Sequence, residues 1–310
     1  MLSLEPIKNL VSVKSYIRGG KMSRTNNKAL LGSSGILIAA VLWGFSFVVV
    51  KKSVNVIPAE YLMVTRYTIS TVILALIFIK RLRNITRKIL SEGAVLGFIL
   101  FISQYLQTIG SKYTTAGKAA FITAAYVVLV PFLSWLIYKN KVGKYSYIAS
   151  AFAMVGIALL SLQENLTLNN GDILIFLCSI GLGFHILIID KYTKSHDPIL
   201  LTILQFFFAN LFSLLMVFIF RLEIPHAITQ TDIILQLLYL GVFSTMIAFL
   251  LQIVCQKYTP PNVAAILLSL EAVFGMIFSV IFTREPLTIR MVLGCVLMFV
   301  SIIIAELKRE

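Results

Sequence analysis

The sequence predicts an all-α integral membrane protein whose ten transmembrane helices form two inverted five-helix repeats. The prediction rests on three observations: the composition, the spacing of the apolar segments, and a motif that occurs once in each half. Hydrophobic residues make up 59% of the 310-residue chain and charged residues only 13%, whereas soluble domains carry roughly 25% charged residues. A soluble fold could not bury so much apolar surface.

Ten apolar segments divide the chain, and each is close to the ~20 residues that a helix needs to cross a bilayer. In order, they span residues 30–50, 59–79, 92–111, 115–138, 145–162, 171–189, 198–220, 232–256, 260–282 and 287–305. Most connections between them are too short to hold a soluble domain. Any function must therefore be performed within or across the membrane, with the lipid bilayer as the first partner.

The Lys and Arg residues between the segments predict the orientation. The N-terminal segment, the 80–91 connection and the 139–145 connection carry six, five and three of them, while the 163–170 connection has none. Basic residues are enriched in cytoplasmic loops, so the N-terminus is predicted to be cytoplasmic, and ten crossings return the C-terminus to the same side. The net charge of +14 is thus a topology signal, and we expect no nucleic acid partner.

Residues 1–29 form a basic segment that we expect in the cytoplasm. The segment has no apolar core before Leu30, so it does not have the pattern of a cleavable signal peptide. Met22 is a candidate for the true start, because the preceding Arg18-Gly19-Gly20-Lys21 is what a purine-rich ribosome-binding site would encode if it were translated.

A motif shared by the two halves indicates an internal duplication. Gln107-x4-Lys112-Tyr113-Thr114-x4-Ala119-Ala120 recurs 145 residues later as Gln252-x4-Lys257-Tyr258-Thr259-x4-Ala264-Ala265. A weaker echo pairs Gly44-Phe45 with Gly183-Phe184 at a shift of 139 residues. Both matches fall at corresponding places among the apolar segments, so the first five segments correspond to the last five.

The predicted repeats span residues 30–162 and 171–306. Because each contains an odd number of crossings, the second copy must enter the membrane inverted relative to the first. Inverted repeats are typical of carriers that work by alternating access. The alternative is a duplicated helical scaffold without a transport pathway.

Several short motifs along the chain are typical of one group of membrane proteins. They are Ala40-Val41-Leu42-Trp43-Gly44-Phe45-Ser46-Phe47, Thr65-Arg66-Tyr67, Ala119-Ala120-Phe121-Ile122 through Val130-Pro131, Glu271, and Arg284-Glu285-Pro286-Leu287. In this order they resemble the drug/metabolite transporter superfamily, and within it the EamA-type permeases, over about residues 30–306. The chain departs from the family pattern at Ala272, where a proline is common, and at Lys139-Asn140, where the first repeat often has Gly-Glu.

The resemblance implies two inverted five-helix repeats in the cytoplasmic membrane. It also implies a permease or exporter of a small organic metabolite such as an amino acid, for which coupling to protons is often proposed. It does not identify the metabolite.

Glu271 is the only acidic residue deep in a predicted helix, at the midpoint of the 260–282 segment. An ionisable side chain at the bilayer centre costs ~2.5–3.5 kcal/mol on insertion scales, so its presence calls for a function. Burial favours the neutral carboxyl form, which suits a proton carrier, and a desolvated carboxylate can bind a substrate amine. The alternative is a structural, protonated group bonded to a neighbouring helix.

Arg66 and Tyr126 are the next candidates for a substrate or coupling site. Arg66 lies near the middle of the second segment, where it could pair with Glu271 or hold a substrate carboxylate. The alternatives are a side chain that snorkels at the boundary of the bundle or a fixed structural pair. Tyr126 is the counterpart of Glu271 under the 145-residue shift, so we expect the two to meet near the midplane between the repeats.

Trp43, Ser46 and His185 form a second group of candidates, because aromatic and hydroxyl groups often line substrate cavities. The alternative for each is a packing role. Four glutamines are further candidates for a polar path or for bonds between helices: Gln104, Gln107, Gln205 and Gln252.

Enzyme motifs are absent from the sequence: it has no HExxH, no phosphate-binding Gly-rich loop and no convincing Ser/His/Asp set. We therefore expect no enzymatic activity, no cofactor and no metal. A secondary transporter of a small molecule is favoured, with a non-transporting auxiliary or scaffold protein as the alternative. An intramembrane enzyme ranks last, because only one deep acid is available. The sequence leaves open whether the protein forms a homodimer.

Overall fold

A computed structural model of the protein describes residues 24–139, 142–161, 169–283 and 288–307. Every regular element in these ranges is helical. Features singled out in the sequence that lie outside them are Met22 as a start, the basic segment as far as residue 23, Asn140, and Arg284-Glu285-Pro286-Leu287.

The helices of the described ranges follow the order of the apolar segments. They are α1 (Arg24–Val54), α2 (Ala59–Ile77), α3 (Arg87–Tyr113), α4 (Ala116–Thr123 and Tyr126–Tyr138), α5 (Lys144–Ser161), α6 (Asn170–Thr193), α7 (Pro198–Ile219), α8 (Thr231–Gln256), α9 (Pro261–Leu268 and Glu271–Thr283) and α10 (Ile289–Leu307). Eight of them are long and apolar enough to cross a membrane, whereas the apolar parts of α5 and α10 are shorter, at Lys144–Leu159 and Val292–Ala305. The described residues thus hold eight candidate spans, and the count of ten crossings stays a prediction.

Capping residues in the connections fix where some helices begin. At the start of α6, Asn169 accepts a hydrogen bond from the Asp172 backbone N–H, and the Asp172 carboxylate accepts one from the Asn169 N–H. Asp197 caps α7 in a similar way, with Pro198 at the first helical position. Such caps satisfy backbone donors that have no partner inside the helix.

Large apolar side chains cover the outer faces of the helices. Leu76, Leu136 and Phe218 are 65%, 65% and 80% exposed. Outward-facing side chains of this size would be unfavourable in water, but they suit a hydrocarbon environment. The fold is therefore that of an all-helical, multi-pass membrane protein.

Helix contacts recur in corresponding pairs in the two halves. α1 packs on α8, as α6 packs on α3; α1 also packs on α9, as α6 packs on α4. Gly44 of α1 approaches α9 so closely that a Cβ there would lie 2.5 Å from Phe274 Cβ. Its counterpart Gly183 of α6 faces Leu129 of α4, the residue 145 positions before Phe274. Glycines thus occupy corresponding helix contacts in both halves, and the approach is closer at Gly44 than at Gly183, where an added Cβ would lie 3.9 Å from Leu129 Cβ.

Helices α4 and α9 are each interrupted for two residues at the same relative place, 124–125 and 269–270. In the first break the Ala125 N–H donates to the Ile122 carbonyl, and in the second the Leu270 N–H donates to the Leu267 carbonyl. The apolar segments predict continuous helices here. Since neither break contains Gly or Pro, the usual causes of a kink, nothing in the local sequence indicates it.

Candidate functional site

A buried cavity at the centre of the bundle is lined by all six candidate residues: Trp43, Ser46, Arg66, Tyr126, His185 and Glu271. The remaining lining residues are Phe47, Gln104, Gln107, Leu182, Ile186, Ser244, Phe249, Gln252 and Leu268. Its volume is about 20 Å³, which is room for about one water molecule. The protein is therefore closed around the cavity in this conformation.

Tyr126 and Glu271 meet in the cavity. The Tyr126 hydroxyl donates to Glu271 Oε1 at 3.0 Å, and the two residues are only 2% and 3% exposed. Each is the first residue after the interruption of its helix, so the breaks in α4 and α9 set where both side chains lie. The expected meeting of the two is thus observed, while their roles stay predictions.

Arg66 is buried inside the bundle, with 2% of its surface exposed. Its Nε donates to Thr245 Oγ1 at 2.7 Å and its Nη1 to Gln104 Oε1 at 3.1 Å. A snorkelling Arg66 at the boundary of the bundle is therefore wrong. Among the ion pairs of the described residues, none joins Arg66 to Glu271 or to another acid. A buried guanidinium bonded only to neutral groups still has the charge to bind a carboxylate.

A π-helical stretch in α8, Tyr239–Ile247, supplies further polar groups. Ser244 and Thr245 lie in it, and the Ser244 carbonyl accepts a hydrogen bond from Trp43 Nε1 at 2.8 Å. Wider helical turns of this kind free backbone groups and occur frequently at functional sites. Sequence reasoning missed Ser244 and Thr245, because apolar periodicity cannot distinguish a π-helix from an α-helix.

His185 is also buried, and its Nε2 lies 3.0 Å from Gln205 Oε1. Gln205 does not line the cavity, although it was a candidate for a polar path, whereas Gln104, Gln107 and Gln252 do.

Most of the lining residues form pairs that are related by the shifts between the halves. Residues of α1 and α6 pair at a shift of 139, and those of α3 and α8 or of α4 and α9 at 145. The six pairs are Trp43 and Leu182, Ser46 and His185, Phe47 and Ile186, Gln104 and Phe249, Gln107 and Gln252, and Tyr126 and Glu271. Both halves thus contribute corresponding positions to one cavity.

A second cavity, of about 640 Å³, lies at the end of the bundle where α6 ends and α9 begins. Asp190, Lys257 and Thr259 are among its lining residues, and the Lys257 side chain is exposed. This end of the molecule therefore holds a much larger cavity than the centre of the bundle, about 640 Å³ against about 20 Å³.

The corresponding segment at the other end of the bundle is held closed. Lys118 forms an ion pair with Asp172, with 2.6 Å between Nζ and Oδ2. Lys51 Nζ donates to the carbonyl oxygens of Ser111 and Lys112 at 2.9 and 3.0 Å. The two ends of the molecule thus differ, although their sequences correspond.

Within the described ranges, no three His, Cys, Asp or Glu side chains come together in a way that could hold a metal ion. The three cysteines are free thiols at separate positions.

A multi-pass helical membrane protein with a buried polar cavity between two corresponding halves has the architecture of a solute transporter. The chain belongs to the EamA-like transporter family, whose model matches residues 30–162 and again residues 169–307. The resemblance noted in the sequence is thereby confirmed.

Similar proteins support the same assignment. An uncharacterized transporter of Archaeoglobus fulgidus is 34% identical over 288 residues, which cover 91% of this chain and 87% of the relative. The uncharacterized transporter YoaV of Bacillus subtilis is 21% identical, with 85% and 92% of the two chains covered. A crystal structure with 14% sequence identity matches with a TM-score of 0.74 over 91% of this chain and 97% of the other, so the fold is shared.

Proposed function

We propose that the protein is a secondary transporter that moves a small zwitterionic metabolite, such as an amino acid, across the cytoplasmic membrane by alternating access. The observation that carries the proposal is that Arg66 and Glu271 line one buried cavity without pairing with each other. A ligand with a carboxylate and an amine would complement both groups. The burial of both side chains strengthens such pairing, because charges interact more strongly where water is excluded.

Several observations support two inverted repeats with ten crossings. The family model matches the chain twice, the helix contacts recur in corresponding pairs, and so do the residues that line the cavity. If each half crosses five times, the second is inverted, and both termini lie in the cytoplasm. The shorter apolar parts of α5 and α10 would then cross at the periphery, where the two helices pack on each other.

The difference between the two ends supports alternating access. The segment around Lys112 is held by Lys51, whereas its counterpart around Lys257 borders a cavity of about 640 Å³. With the N-terminus in the cytoplasm, the open end faces the cytoplasm and the closed end faces outward. If the second half adopted the closed arrangement now seen around Lys112, and the first half the open arrangement now seen around Lys257, the outer end would open and the cytoplasmic end would close.

Glu271 is suited to couple transport to protons. Its carboxyl group lies in the cavity and accepts a hydrogen bond from Tyr126, so a proton and a substrate amine would compete for the same oxygens. If binding of the substrate amine releases the proton from Glu271, and binding of a proton releases the amine, the movement of protons is linked to the movement of substrate.

Uptake into proteoliposomes tests the proposal. Purified protein would be reconstituted, an inward pH gradient imposed, and accumulation of the twenty proteinogenic amino acids, other zwitterions, simple carboxylates and simple amines followed by mass spectrometry. We expect accumulation of at least one zwitterion over protein-free vesicles and over an Arg66→Gln variant. Accumulation of only anions or only cations would contradict a zwitterionic substrate.

A non-transporting auxiliary or scaffold protein is the second candidate. It is favoured by the small volume of the central cavity and by the bonds of Arg66 to its neighbours. It predicts that no solute moves and that no solute stabilises the purified protein.

A further inference from the structure

Two buried acceptor atoms on residues that line the central cavity have no hydrogen-bond partner in the described part of the protein. They are Nδ1 of His185 and Oε1 of Gln252, whose residues are 1% and 2% exposed. Leaving a buried acceptor unsatisfied costs about 1–3 kcal/mol. A donor that enters the cavity would remove this cost for both atoms.

The orientation of the Gln252 amide is fixed by its neighbour. Gln256 Nε2 donates to the Ile186 carbonyl oxygen at 2.5 Å, so its other amide atom, the oxygen Oε1, faces Gln252. Gln252 Nε2 lies 3.5 Å from that oxygen. Because only an N–H group can face this acceptor favourably, Oε1 is the free atom of Gln252.

The protonation of the His185 ring depends on its contact with Gln205. Gln205 Oε1 lies 3.0 Å from Nε2 of the ring, and an amide oxygen can only accept. With this orientation of the Gln205 amide, whose own Nε2 has no partner among the described residues, Nε2 of the ring carries the proton of the neutral imidazole and Nδ1 is an acceptor.

The counterparts of Gln252 and His185 in the first half both have hydrogen-bond partners. Gln107, the counterpart of Gln252, donates from Nε2 to Thr123 Oγ1 at 3.1 Å. The residue 145 positions after Thr123 is Leu268, which has no hydroxyl group, so Gln252 lacks the partner that holds Gln107. Ser46, the counterpart of His185, donates to a backbone carbonyl oxygen of its own helix at 2.7 Å. Among the described residues that line the central cavity, the unpaired acceptors thus belong to the second half.

We propose that His185 and Gln252 determine specificity by accepting hydrogen bonds from the N–H groups of a primary ammonium group on the substrate. The inference rests on the proposed function and adds to it the kind of amine that is recognised. Glu271 lines the same cavity, so three acceptor side chains match the three N–H donors of a primary ammonium group. A trimethylammonium group carries the same charge but has no donor. It would leave His185 and Gln252 unsatisfied.

Binding to the detergent-purified full-length protein tests this proposal separately from transport. The probes are the twenty proteinogenic amino acids and, for the one that binds most tightly, its N,N,N-trimethyl derivative. We expect the primary amine to bind at least about tenfold more tightly, and Gln252→Leu and His185→Phe each to reduce this ratio by about tenfold. A general disturbance of folding would lower both affinities and leave the ratio unchanged.

Gln236→Leu is the matched control. Like Gln252→Leu, it replaces a glutamine of α8 by leucine. Gln236, however, does not line the cavity, and its Oε1 accepts a hydrogen bond from the Ser53 hydroxyl at 2.6 Å. We expect it to leave the ratio unchanged. Conversely, Leu268→Thr would introduce a hydroxyl group that can donate to Gln252 Oε1, and we expect the ratio to fall.

The outcomes separate the amine site from the transport function. Equal affinity for the two probes, no binding of any primary amine, or an unchanged ratio in both variants would overturn the amine site and leave a bound water as the partner of both acceptors. A preference that depends on His185 and Gln252 in a protein that moves no solute would support the amine site and overturn transport.

Discussion

Tyr126 and Glu271, 145 residues apart, occupy the same place in α4 and α9 and are joined by a hydrogen bond of 3.0 Å. Each begins the second part of an interrupted helix. Two counterpart residues can touch only where the two halves meet, so this contact marks the meeting point inside the central cavity. A carboxyl group at this position is exposed to whatever the cavity binds.

We predict that Glu271→Gln separates substrate movement from the pH gradient. The amide keeps the size and hydrogen-bonding capacity of the carboxyl group but cannot carry a proton. Exchange of labelled for unlabelled substrate should persist, with lower affinity for an amine, while accumulation driven by a pH gradient should be lost. Tyr126→Phe should lower the rate but retain the dependence on the gradient, since it removes one hydrogen bond and leaves the carboxyl group. Accumulation by Glu271→Gln equal to that of the unaltered protein would show that the group is structural.

Arg66→Lys should impair recognition of a substrate carboxylate although it preserves the charge. Arg66 presents several donors at once, to Thr245 and to Gln104, and a lysine ammonium cannot reproduce this planar fork. Loss of charge-assisted hydrogen bonds of about 1.5–3 kcal/mol corresponds to roughly tenfold to a hundredfold weaker binding. Titration with a carboxylate substrate and with its amide derivative checks this. The variant should lose affinity for the carboxylate and change little for the amide.

Gly44→Ala should destabilise the fold. A Cβ at this position would lie 2.5 Å from Phe274 Cβ and 2.8 Å from the Gly275 backbone nitrogen, so α1 and α9 would have to move apart. Overpacking of this kind costs about 1–3 kcal/mol, which should lower the thermal midpoint in detergent by several degrees. Gly117→Ala is the control, because nothing lies within 4 Å of its added Cβ, and it should be neutral or slightly stabilising. Equal stability of the two variants would show that α1 and α9 can separate at little cost.

The sequence predicts the helices well and the site in part. Apolar segments of bilayer length place the helices, and the repeated motif, through its shift of 145 residues, relates Tyr126 to Glu271. The interruptions at 124–125 and 269–270 and the π-helical stretch Tyr239–Ile247 could not be predicted. They contain no proline, and tertiary contacts rather than local propensities select them.

That Arg66 would bond to Thr245 and Gln104 could not be predicted, for a related reason. Thr245 lies in the π-helical stretch and Gln104 in α3, and only the packing of three helices brings them to the guanidinium group. Apolar periodicity identifies which face of a helix is buried, but it does not say which polar side chains of other helices meet there.

Asp190 and Lys257 should approach each other when the open end of the protein closes. They are the counterparts of Lys51 and Lys112, and the Lys51 ammonium group now bonds to the Lys112 carbonyl oxygen at the closed end. In the present conformation Asp190 pairs with Lys194 instead, at 2.7 Å, and borders the cavity of about 640 Å³ together with Lys257. Exchange of the two arrangements would bring the Asp190 carboxylate to the segment that contains Lys257, where the opposite charges favour contact.

Cysteine pairs at the two ends measure this exchange without knowledge of the substrate. In a background in which Cys178, Cys255 and Cys295 are replaced, Lys51→Cys with Lys112→Cys should be cross-linked by a short bifunctional maleimide in the present conformation. Asp190→Cys with Lys257→Cys should be cross-linked only in molecules in which the end that contains Lys51 and Lys112 is open. When all four cysteines are present, the two cross-links should therefore exclude each other in single molecules, as read by mass spectrometry. Frequent molecules with both cross-links would mean that both ends can close together, and exchange between the two halves would then not describe how this protein works.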